Sequence, residues 1–305
     1  MPSKFSVVLL NYNGANRLST FLPILIEHTP LSNIYLIDNA STDDSLSCVH
    51  QYLIPSHCIP LQFNKGYAAG YNRGLDHIPP TDYYILLNTD VEVTAGWWQD
   101  LISYMQANPQ VGACQPKLKN FRKRTHFDYA GAAGGKIFRL GYPYCRGRFF
   151  GSTEEDKGQY DQGVEISWAS GACLCLRRDA FEEIGGFDES FFMYVEEIDL
   201  CWRLKNKGYA IRSYPQVTVY HDGEISSPLI HPRGYYVLRN NYLLMFKHFS
   251  TSQKLWILPL RWIIDWAMAF GYLFLGHLRP MKSYLKVCLY CMRKSFSIHK
   301  PDPRY

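Results

Sequence analysis

Short apolar runs alternate with amphipathic segments along the first hundred residues of the chain. The runs predict four strands, at 5–10, 34–37, 59–63 and 83–87. Apolar residues at helical spacing predict helices at 17–28, 66–78 and 97–107. Strands that alternate with helices are typical of a mostly parallel α/β sheet built from βα units.

The second half of the chain is less regular. Residues 115–165 contain basic stretches and many glycines, which predict loops and hairpins, and apolar segments return at 164–176, 191–207 and 217–221. No linker separates the two halves. We therefore expect one domain over residues 1–245, followed by an apolar and basic helical extension over residues 246–305.

Each of the four predicted strands ends in a polar cluster. The clusters are Asn11/Asn13, Asp38/Asn39, Asn64/Lys65 and Asn88/Asp90. Ligands bind at the carboxyl ends of the strands in open α/β sheets, and four such clusters make chance turns a weaker explanation.

The stretch YYILLNTDVEV, residues 83–93, begins as a buried strand and then alternates polar groups. Alternation places Asn88, Asp90 and Glu92 on one face if the strand stays extended. The ordinary alternative is a strand that runs into a turn, since Asn, Thr and Asp are common turn residues.

Neither of the two common glycine-rich phosphate loops is present in the sequence. A bound diphosphate would therefore need another source of positive charge, and Mg²⁺ or Mn²⁺ held by carboxylates is the obvious one. Asp90 is a candidate ligand, with Glu92 nearby. His221 is a weaker candidate, because a lone histidine is more often structural than ligating.

A second dense cluster places Glu196, Glu197 and Asp199 among aromatic and aliphatic residues. An apolar environment raises the pKa of a carboxyl group, which suits a general base. The alternative interpretation is structural, because a helix N-terminus also favours acids and Asp199 can pair with Arg203 four residues later.

Six stretches resemble glycosyltransferase family 2, in its rhamnosyltransferase-like branch. They are VVLLNYNG (7–14), IDNASTDDS (37–45), NKGYAAGYNRGL (64–75), LLNTDVEV (86–93), residues 170–209 and RNN (239–241). They occur in the family's order and cover most of residues 5–245.

The resemblance implies a GT-A fold, a single Rossmann-like α/β domain that binds a nucleotide-diphosphate sugar and usually Mg²⁺ or Mn²⁺. It also implies direct displacement with inversion at the anomeric carbon. Asn88-Thr89-Asp90 takes the place of the family's D-x-D motif, so that Asp90 would bind the metal, and His221 matches a histidine that completes the metal site in some relatives.

The resemblance further implies that Asp38 hydrogen-bonds the nucleobase. The expected nucleotide-sugar-binding residues all lie at strand ends or on the helix that follows the third strand; they are Asn11, Tyr12, Asn13, Asp38, Asn39, Ser41, Asn64, Lys65, Gly66, Asn72, Asn88 and Thr89. For the catalytic base the family usually has Glu-Asp, whereas Glu196 and Glu197 stand here, and the choice between the two glutamates stays open.

Net charge and cysteine content indicate where in the cell the protein is expected. The net charge is +5, yet the last 27 residues carry seven basic residues against one acid, so the basic excess belongs to the C-terminus and nucleic-acid binding is not indicated. Nine scattered cysteines and the absence of a signal peptide favour a reduced, cytosolic protein.

The apolar segment 255–278 contains Arg261 and Asp265, and its longest uncharged stretch, 266–276, is too short to span a bilayer. Its tryptophans and basic sequel favour an interfacial helix at the inner face of the cell membrane, and a helix packed on the protein's own core is the alternative. A lipid-linked glycan is then the expected acceptor, as in bacterial surface-polysaccharide synthesis.

Two rival functions remain open from sequence. A sugar-nucleotide pyrophosphorylase has a related fold, but its glycine-rich, arginine-containing N-terminal loop is missing here. A catalytically degenerate glycan-binding scaffold is the second rival, and the presence of Asp90, Glu196 and Glu197 speaks against it.

Overall fold

The structure is a computed structural model that describes residues 4–149, 151–223 and 234–296, with side chains to residue 291. The chain forms two compact units. The first comprises Met1–Phe138 and Pro143–Ile225, and the second comprises Arg139–Tyr142 and Ser226–Tyr305. The predicted domain end at residue 245 falls within the first helix of the second unit, Gly234–His248.

The strands of the described residues all lie in the first unit. They are β1 (Phe5–Asn11), β2 (Ile34–Asp38), β3 (Cys58–Pro60), β4 (Tyr83–Leu87), β5 (Val91–Glu92), β6 (Val111–Asn120), β7 (Gly135–Ile137), β8 (Pro143–Cys145), β9 (Arg148–Phe149), β10 (Ser152–Thr153), β11 (Cys173–Arg177) and β12 (Ala210–His221).

The helices lie in both units. They are α1 (Ala15–His28), α2 (Ser45–Val49), α3 (Tyr67–Leu75), α4 (Trp97–Ala107), α5 (Arg178–Glu183) and α6 (Glu196–Asn206) in the first, and α7 (Gly234–His248), α8 (Thr251–Phe274) and α9 (Leu278–Phe296) in the second.

Eight strands form one sheet in the order β3–β2–β1–β4–β11–β6–β12–β5. β3, β2, β1 and β4 are mutually parallel, as are β6 and β12, whereas β11 and β5 run antiparallel to their neighbours. Every residue of β2 and β4 is buried, which explains their uninterrupted apolar sequences. This mixed, mostly parallel sheet flanked by helices confirms the predicted fold class.

β6 is the main difference from the sequence prediction, which placed residues 115–165 in loops and hairpins. β6 is a ten-residue, almost wholly buried strand although it contains Pro116, Lys117 and Lys119. Each lysine Nζ lies 3.1 Å from the Asp156 carboxylate, so the buried charges are paired. That partner is distant in sequence, and no local pattern reveals it. The hairpins β7–β8 and β9–β10 do follow, as predicted.

Two other strands differ in length. The predicted strand 59–63 is Cys58–Pro60, and of the predicted strand 164–176 the structure has only Cys173–Arg177.

Glycines let α3 lie directly against the sheet. A Cβ atom on Gly74 would stand 2.2 Å from Cδ1 of Ile37, and one on Gly70 would stand 2.9 Å from Cδ1 of Leu10. The four-residue spacing of these glycines therefore serves close helix–sheet packing, which holds α3 beside the ends of β1 and β2.

The second unit is organised around a buried ion pair. Asp265 and Arg261 are 0% and 2% exposed, and Arg261 Nε donates to Asp265 Oδ2 at 2.9 Å. The hydroxyls of Tyr142 and Tyr242 also donate to the Asp265 carboxylate. Arg261 Nη1 donates to the carbonyl oxygen of Leu140 at 3.0 Å, so segment Arg139–Tyr142 is tied to α8.

The opposite face of α8 is apolar and exposed. Its exposed large apolar side chains are Leu255, Trp256, Leu260, Ile263, Phe270 and Phe274. By length and composition alone α8 could cross a membrane, with a mean hydropathy of 1.3 over its best 18-residue window. The two charged residues that limit the uncharged stretch of this segment to residues 266–276, Arg261 and Asp265, pair inside the unit and are buried.

Candidate active site

The ends of β1 and β2 meet at one edge of the sheet. Parallel pairing places Asn11 beside Asp38, and Asn11 Nδ2 donates to Asp38 Oδ1 and to Ser41 Oγ, at 3.0 Å each. Asp38 Oδ2 accepts from the Ser41 backbone N–H at 3.0 Å. Asn11 and Asp38 are 1% and 2% exposed, so this polar corner is enclosed by protein on the side of the core.

The turn after β1 is fixed by the loop after β2. Asn13 has a φ of 52°, its N–H donates to Ser41 Oγ at 2.9 Å, and its Oδ1 accepts from the Thr42 N–H at 2.7 Å. Tyr12, between the two asparagines, is 53% exposed. A Cβ on Gly14 would stand 2.3 Å from Asn11 Oδ1, so only glycine fits there.

A third strand end joins this edge. Asn39 Nδ2 donates to Asn64 Oδ1 at 3.0 Å and to the Gly66 carbonyl oxygen at 3.1 Å. Among the described residues, Asn11 Oδ1 and Asn39 Oδ1 are buried without a hydrogen-bond partner. Buried polar groups are rarely left unpaired, so these two acceptors fit a ligand that donates to them.

Asp90 stands at the end of β4. It is 5% exposed, with Nε2 of His221 3.2 Å from Oδ1 and Nη1 of Arg17 3.4 Å from Oδ2. Thr89 is buried, and the N–H of the half-buried Asn88 donates to the Ala172 carbonyl oxygen at 3.0 Å. Thus Asn88, Thr89 and Asp90 occupy one corner, beside the start of β11.

His221 is held between two carboxylates. Its Nδ1 lies 3.1 Å from Oδ2 of Asp128, a buried residue that the sequence analysis did not single out. Burial lowers the pKa of His221, but Asp128 and Asp90 outweigh it and raise that pKa to about 10. For Asp90, burial raises the pKa, and the stronger combined action of His221 and Arg17 leaves it below its usual value.

Asp90 and His221 fit a pair of metal ligands. A ligating histidine usually presents one ring nitrogen to the metal and bonds a carboxylate with the other. Nδ1 of His221 already faces the Asp128 carboxylate, and Nε2 faces Asp90, so an ion beside Asp90 could be reached by Nε2. The described residues contain no group of three His, Cys, Asp or Glu side chains arranged around one metal position. The remaining ligands would therefore come from substrate or water, as is common for Mg²⁺.

Glu92 is engaged elsewhere. Its two carboxylate oxygens accept from Nη1 and Nη2 of Arg124 at 2.8 and 2.7 Å, and the guanidinium lies over the Tyr220 ring. This bidentate pair directs Glu92 to Arg124 in the structure, although alternation along the strand had grouped it with Asp90.

The glutamate pair opens α6. Glu196 is 4% exposed and Glu197 is partly buried, and one carboxylate oxygen of each is buried without a hydrogen-bond partner among the described residues. Burial raises the pKa of both groups, and the negative charge of Glu197 raises that of Glu196 further. Carboxylates in this environment are better proton acceptors than exposed ones.

Asp199 has a different environment from the two glutamates. Its Oδ2 accepts from Nε of Arg203 at 2.7 Å, and its side chain is 1% exposed. Nη1 of Arg203 donates to the Ile184 carbonyl oxygen at 2.9 Å. The pair therefore joins α6 to the end of α5.

Two contacts connect the glutamate region with the Asp90 corner. The hydroxyl of Tyr67 donates to the Gly171 carbonyl oxygen at 3.2 Å, and the next carbonyl, of Ala172, accepts from Asn88. Burial raises the pKa of Tyr67, and the nearby charges of Glu196 and Glu197 raise it further. Cys145 similarly has its pKa raised to about 11, by burial first, with contributions from Asp128 and Glu197.

The last expected binding residues lie on or before α3. Lys65 is exposed and Gly66 is buried. Asn72 is not directed at the strand ends; its Nδ2 donates to the Phe187 carbonyl oxygen at 2.8 Å, and its Oδ1 accepts from the Phe187 N–H at 2.9 Å. Asn72 thereby fixes the loop that leads to α6.

Sequence comparison identifies a family for this arrangement. A model of glycosyl transferase family 2 matches residues 6–185. An N-acetylglucosaminyl-diphospho-decaprenol L-rhamnosyltransferase of Mycobacterium tuberculosis is 27% identical over 289 residues, 88% of this chain and 92% of the relative. The low-salt glycan biosynthesis hexosyltransferase Agl10 of Haloferax volcanii is 24% identical over 83% of this chain and 78% of its own length.

Solved structures share the fold. GalNAc-T7 in complex with UDP, GalNAc and Mn²⁺ has a TM-score of 0.59 at 15% identity, over 80% of this chain and 48% of that one. The mannosyltransferase PcManGT of Pyrobaculum calidifontis, in complex with GDP-Man and Mn²⁺, has a TM-score of 0.59 at 15% identity, over 99% of this chain and 82% of that one. The likeness confirms the predicted GT-A fold.

We predict that Asp199 contributes to stability through its ion pair. Asp199→Ala leaves Arg203 partly buried without its carboxylate, which should cost as much as about 3 kcal/mol of folding free energy. The free energy of unfolding, from denaturant titration, measures the loss. Glu182→Ala is the matched control, because it breaks an exposed pair of the same four-residue spacing with Arg178 and should cost at most about 1 kcal/mol. Equal losses in the two variants would contradict the prediction.

Proposed function

The chain belongs to glycosyltransferase family 2, and from that premise we propose that it is an inverting hexosyltransferase of the rhamnosyltransferase-like branch. It moves a sugar from a nucleotide-diphosphate donor, dTDP-rhamnose or a UDP-sugar, to a hydroxyl of a glycan or lipid-linked glycan in bacterial surface-polysaccharide synthesis. Two features carry the proposal. The strand ends hold two buried amide oxygens without partners and the Asp90–His221 pair, and the start of α6 holds two glutamates that each have one buried oxygen without a partner among the described residues. The M. tuberculosis rhamnosyltransferase, matched over nearly its whole length, supports the donor class.

The nucleotide lies along the ends of β1, β2 and β3 in this proposal. Asp38 is held in place by Asn11 and Ser41 and accepts from the nucleobase, while Tyr12 covers the nucleotide from the solvent side. The unpaired oxygens of Asn11 and Asn39 accept from the base or the ribose hydroxyls. Asn13, Asn64, Lys65 and Gly66 shape the turns around it.

The diphosphate lies at the Asp90 corner. Asp90 and His221 would hold Mg²⁺ or Mn²⁺, and Asp128 would orient His221. The bound ion would supply positive charge to the leaving nucleoside diphosphate. Arg17, already 3.4 Å from Asp90, adds a cation on the same side.

The proton of the acceptor hydroxyl goes to a glutamate. We assign this role to Glu197, because it is partly exposed and can reach an acceptor, whereas Glu196 is buried. A raised pKa makes the carboxylate a stronger base as the hydroxyl attacks the anomeric carbon. Asp199, although predicted with the catalytic group, would position α6 through Arg203 rather than touch substrate.

We predict that substitutions at the Asp90 corner lower donor turnover to different degrees. Asp128→Asn should cost about 10–100-fold in donor turnover, as is typical of a residue that orients a metal ligand. Asp90→Ala removes a ligand itself and should cost more. Metal-dependent hydrolysis of the donor, after a thermal-shift screen of sugar nucleotides with and without Mn²⁺, measures both.

Glu92→Gln is the control for that series. Glu92 contacts Arg124 in the structure, so its loss should cost less than about tenfold. A Glu92→Gln effect as large as that of Asp90→Ala would place Glu92 at the metal. No binding and no hydrolysis across the sugar-nucleotide panel would reject the enzyme proposal itself.

We predict that Glu197→Gln lowers the transfer rate by about 10²–10⁴-fold, because it removes the base and keeps the shape of the side chain. In the unaltered protein, burial raises the pKa of Glu197 above the usual glutamate value of about 4.3. The ratio kcat/KM should therefore rise with pH as Glu197 loses its proton around this raised pKa, and then level off. Glu196→Gln is the control and should stay within about tenfold of the unaltered protein. A larger loss in Glu196→Gln would assign the base to Glu196 instead.

We also propose a peripheral contact between the second unit and the cytoplasmic face of the membrane. The exposed apolar face of α8 is followed on α9 by exposed Arg279, Lys282 and Lys286. Exposed tryptophan and phenylalanine beside basic residues suit an anionic leaflet, which is also where a lipid-linked acceptor resides.

We predict that Trp256→Glu together with Phe274→Glu reduces flotation with phosphatidylglycerol-containing vesicles. Both side chains are more than four-fifths exposed, so the substitutions should leave folding intact while removing apolar area from the contact. Ile54→Glu, an exposed apolar side chain of the first unit, is the control and should float like the unaltered protein. Unchanged flotation of the double variant, or equal flotation with phosphatidylcholine vesicles, would reject the proposed contact.

A further inference from the structure

Helix α3 contacts the loop that precedes the two glutamates. Asn72 makes two hydrogen bonds to the Phe187 backbone, and Nη2 of Arg73 lies 3.6 Å from Oε2 of Glu189. The Tyr67 ring contacts the Phe187 ring edge-on at 5.9 Å between centroids. Along its length, therefore, α3 contacts the segment between α5 and α6.

The first residues of α3 dock on Phe192. The Tyr67 N–H, at the free N-terminal end of α3, donates to the Phe192 carbonyl oxygen at 2.5 Å. Gly66 makes this approach possible, because a Cβ there would stand 2.1 Å from that oxygen. Gly66 also has a φ of 93°, a conformation that side-chain-bearing residues rarely adopt.

The docked segment is strained. Phe192 has φ 63° and ψ −61°, and the Met193 N–H donates to the Phe191 carbonyl oxygen at 2.7 Å, which is the rare, strained form of the γ-turn. Tyr194 and Val195 also have positive φ, of 66° and 74°. Such conformations persist only where the surrounding structure holds them, and Val195 is the residue directly before Glu196 and Glu197.

Gly66 is also held by Asn39 and Asn64, which lie at the strand ends where the nucleotide is proposed to bind; we call these strand ends the nucleotide edge. The Gly66 N–H donates to Asn64 Oδ1 at 2.9 Å, and its carbonyl oxygen accepts from Asn39 Nδ2 at 3.1 Å. Asn39 Nδ2 also donates to Asn64 Oδ1, while Asn39 Oδ1 is one of the unpaired acceptors. A hydrogen bond from Asn39 to Gly66 and one from Tyr67 to Phe192, joined through the chain, thus connect Asn39 with the segment that leads to the glutamates.

We propose that Gly66 is a positioning residue that couples the nucleotide edge to the glutamate pair. A donor nucleotide that bonds the free Asn39 oxygen fixes Asn39, Asn64 and Gly66, and the Tyr67 N–H then holds Phe192 and its strained segment so that the glutamates face the acceptor. The coupling rests on the proposed transferase function, but the docking of Phe192 on α3 does not.

The test compares Gly66→Ala with Gly96→Ala. Both glycines precede a helix and have positive φ, but a Cβ on Gly96 meets nothing within 4 Å. Gly96→Ala therefore introduces a positive-φ alanine without a collision. Two readouts are needed: amide hydrogen exchange of residues 193–199, and steady-state transfer kinetics with the donor found in the thermal-shift screen.

In Gly66→Ala, exchange at residues 193–199 should be faster by about tenfold or more, and Gly96→Ala should leave it unchanged. The transfer kcat should fall by about 10²-fold, as expected for a misplaced catalytic group, while the donor KM changes little. Unchanged exchange in Gly66→Ala would overturn the docking role. A loss confined to donor KM would overturn the positioning role.

The unaltered protein supplies a second test that does not depend on the variant folding. UDP or dTDP, each with Mn²⁺, should slow exchange at residues 193–199, and a bound nucleotide that leaves exchange there unchanged would overturn the coupling. Absence of binding by any nucleotide would reject the proposed function and the coupling together, while the exchange of Gly66→Ala would still decide the docking.

Discussion

The parallel pairing of β1 with β2 and β4 is the constraint on which the rest of the site depends. Since parallel strands end at the same edge, residues that are far apart in sequence come into hydrogen-bonding distance there. Asn11 reaches Asp38 across 27 residues of chain, and Asp90 lies three residues after the end of β4, the strand on the other side of β1. The strands are buried along their length, so a shift in register would separate these buried polar groups from their partners and is disfavoured.

That edge leaves several polar atoms unpaired, which is costly for folding. Buried amide and carboxylate oxygens without partners destabilise a protein by about 1–3 kcal/mol each. Four of them, on Asn11, Asn39, Glu196 and Glu197, lie in the two clusters that the sequence marked as chemical. A protein that retains such groups gains from them in another state, and a bound donor and acceptor would provide that state.

Local sequence pattern predicted the strand ends because apolar runs followed by polar residues are a short-range signal. It identified Asp38, Asp90 and the glutamate pair, and the family resemblance added their expected roles. It did not predict Asp128, Arg17 or Arg124, whose partners His221, Asp90 and Glu92 are distant in sequence. Nor did it predict that Asn72 holds the Phe187 loop, or that β6 buries lysines, because both depend on tertiary pairing rather than on periodicity.

Each unit contains a buried ion pair, and the two pairs have different consequences. In the first, Asp199 and Arg203 attach α6 to the end of α5, while one carboxylate oxygen of each neighbouring glutamate stays without a hydrogen-bond partner in the part of the chain that the structure describes. In the second, Arg261 and Asp265 pair inside the unit, and the large exposed side chains of α8 are apolar. The same kind of ion pair therefore holds a helix in place in each unit, and in the second unit it also keeps two charged side chains of α8 away from the exposed face.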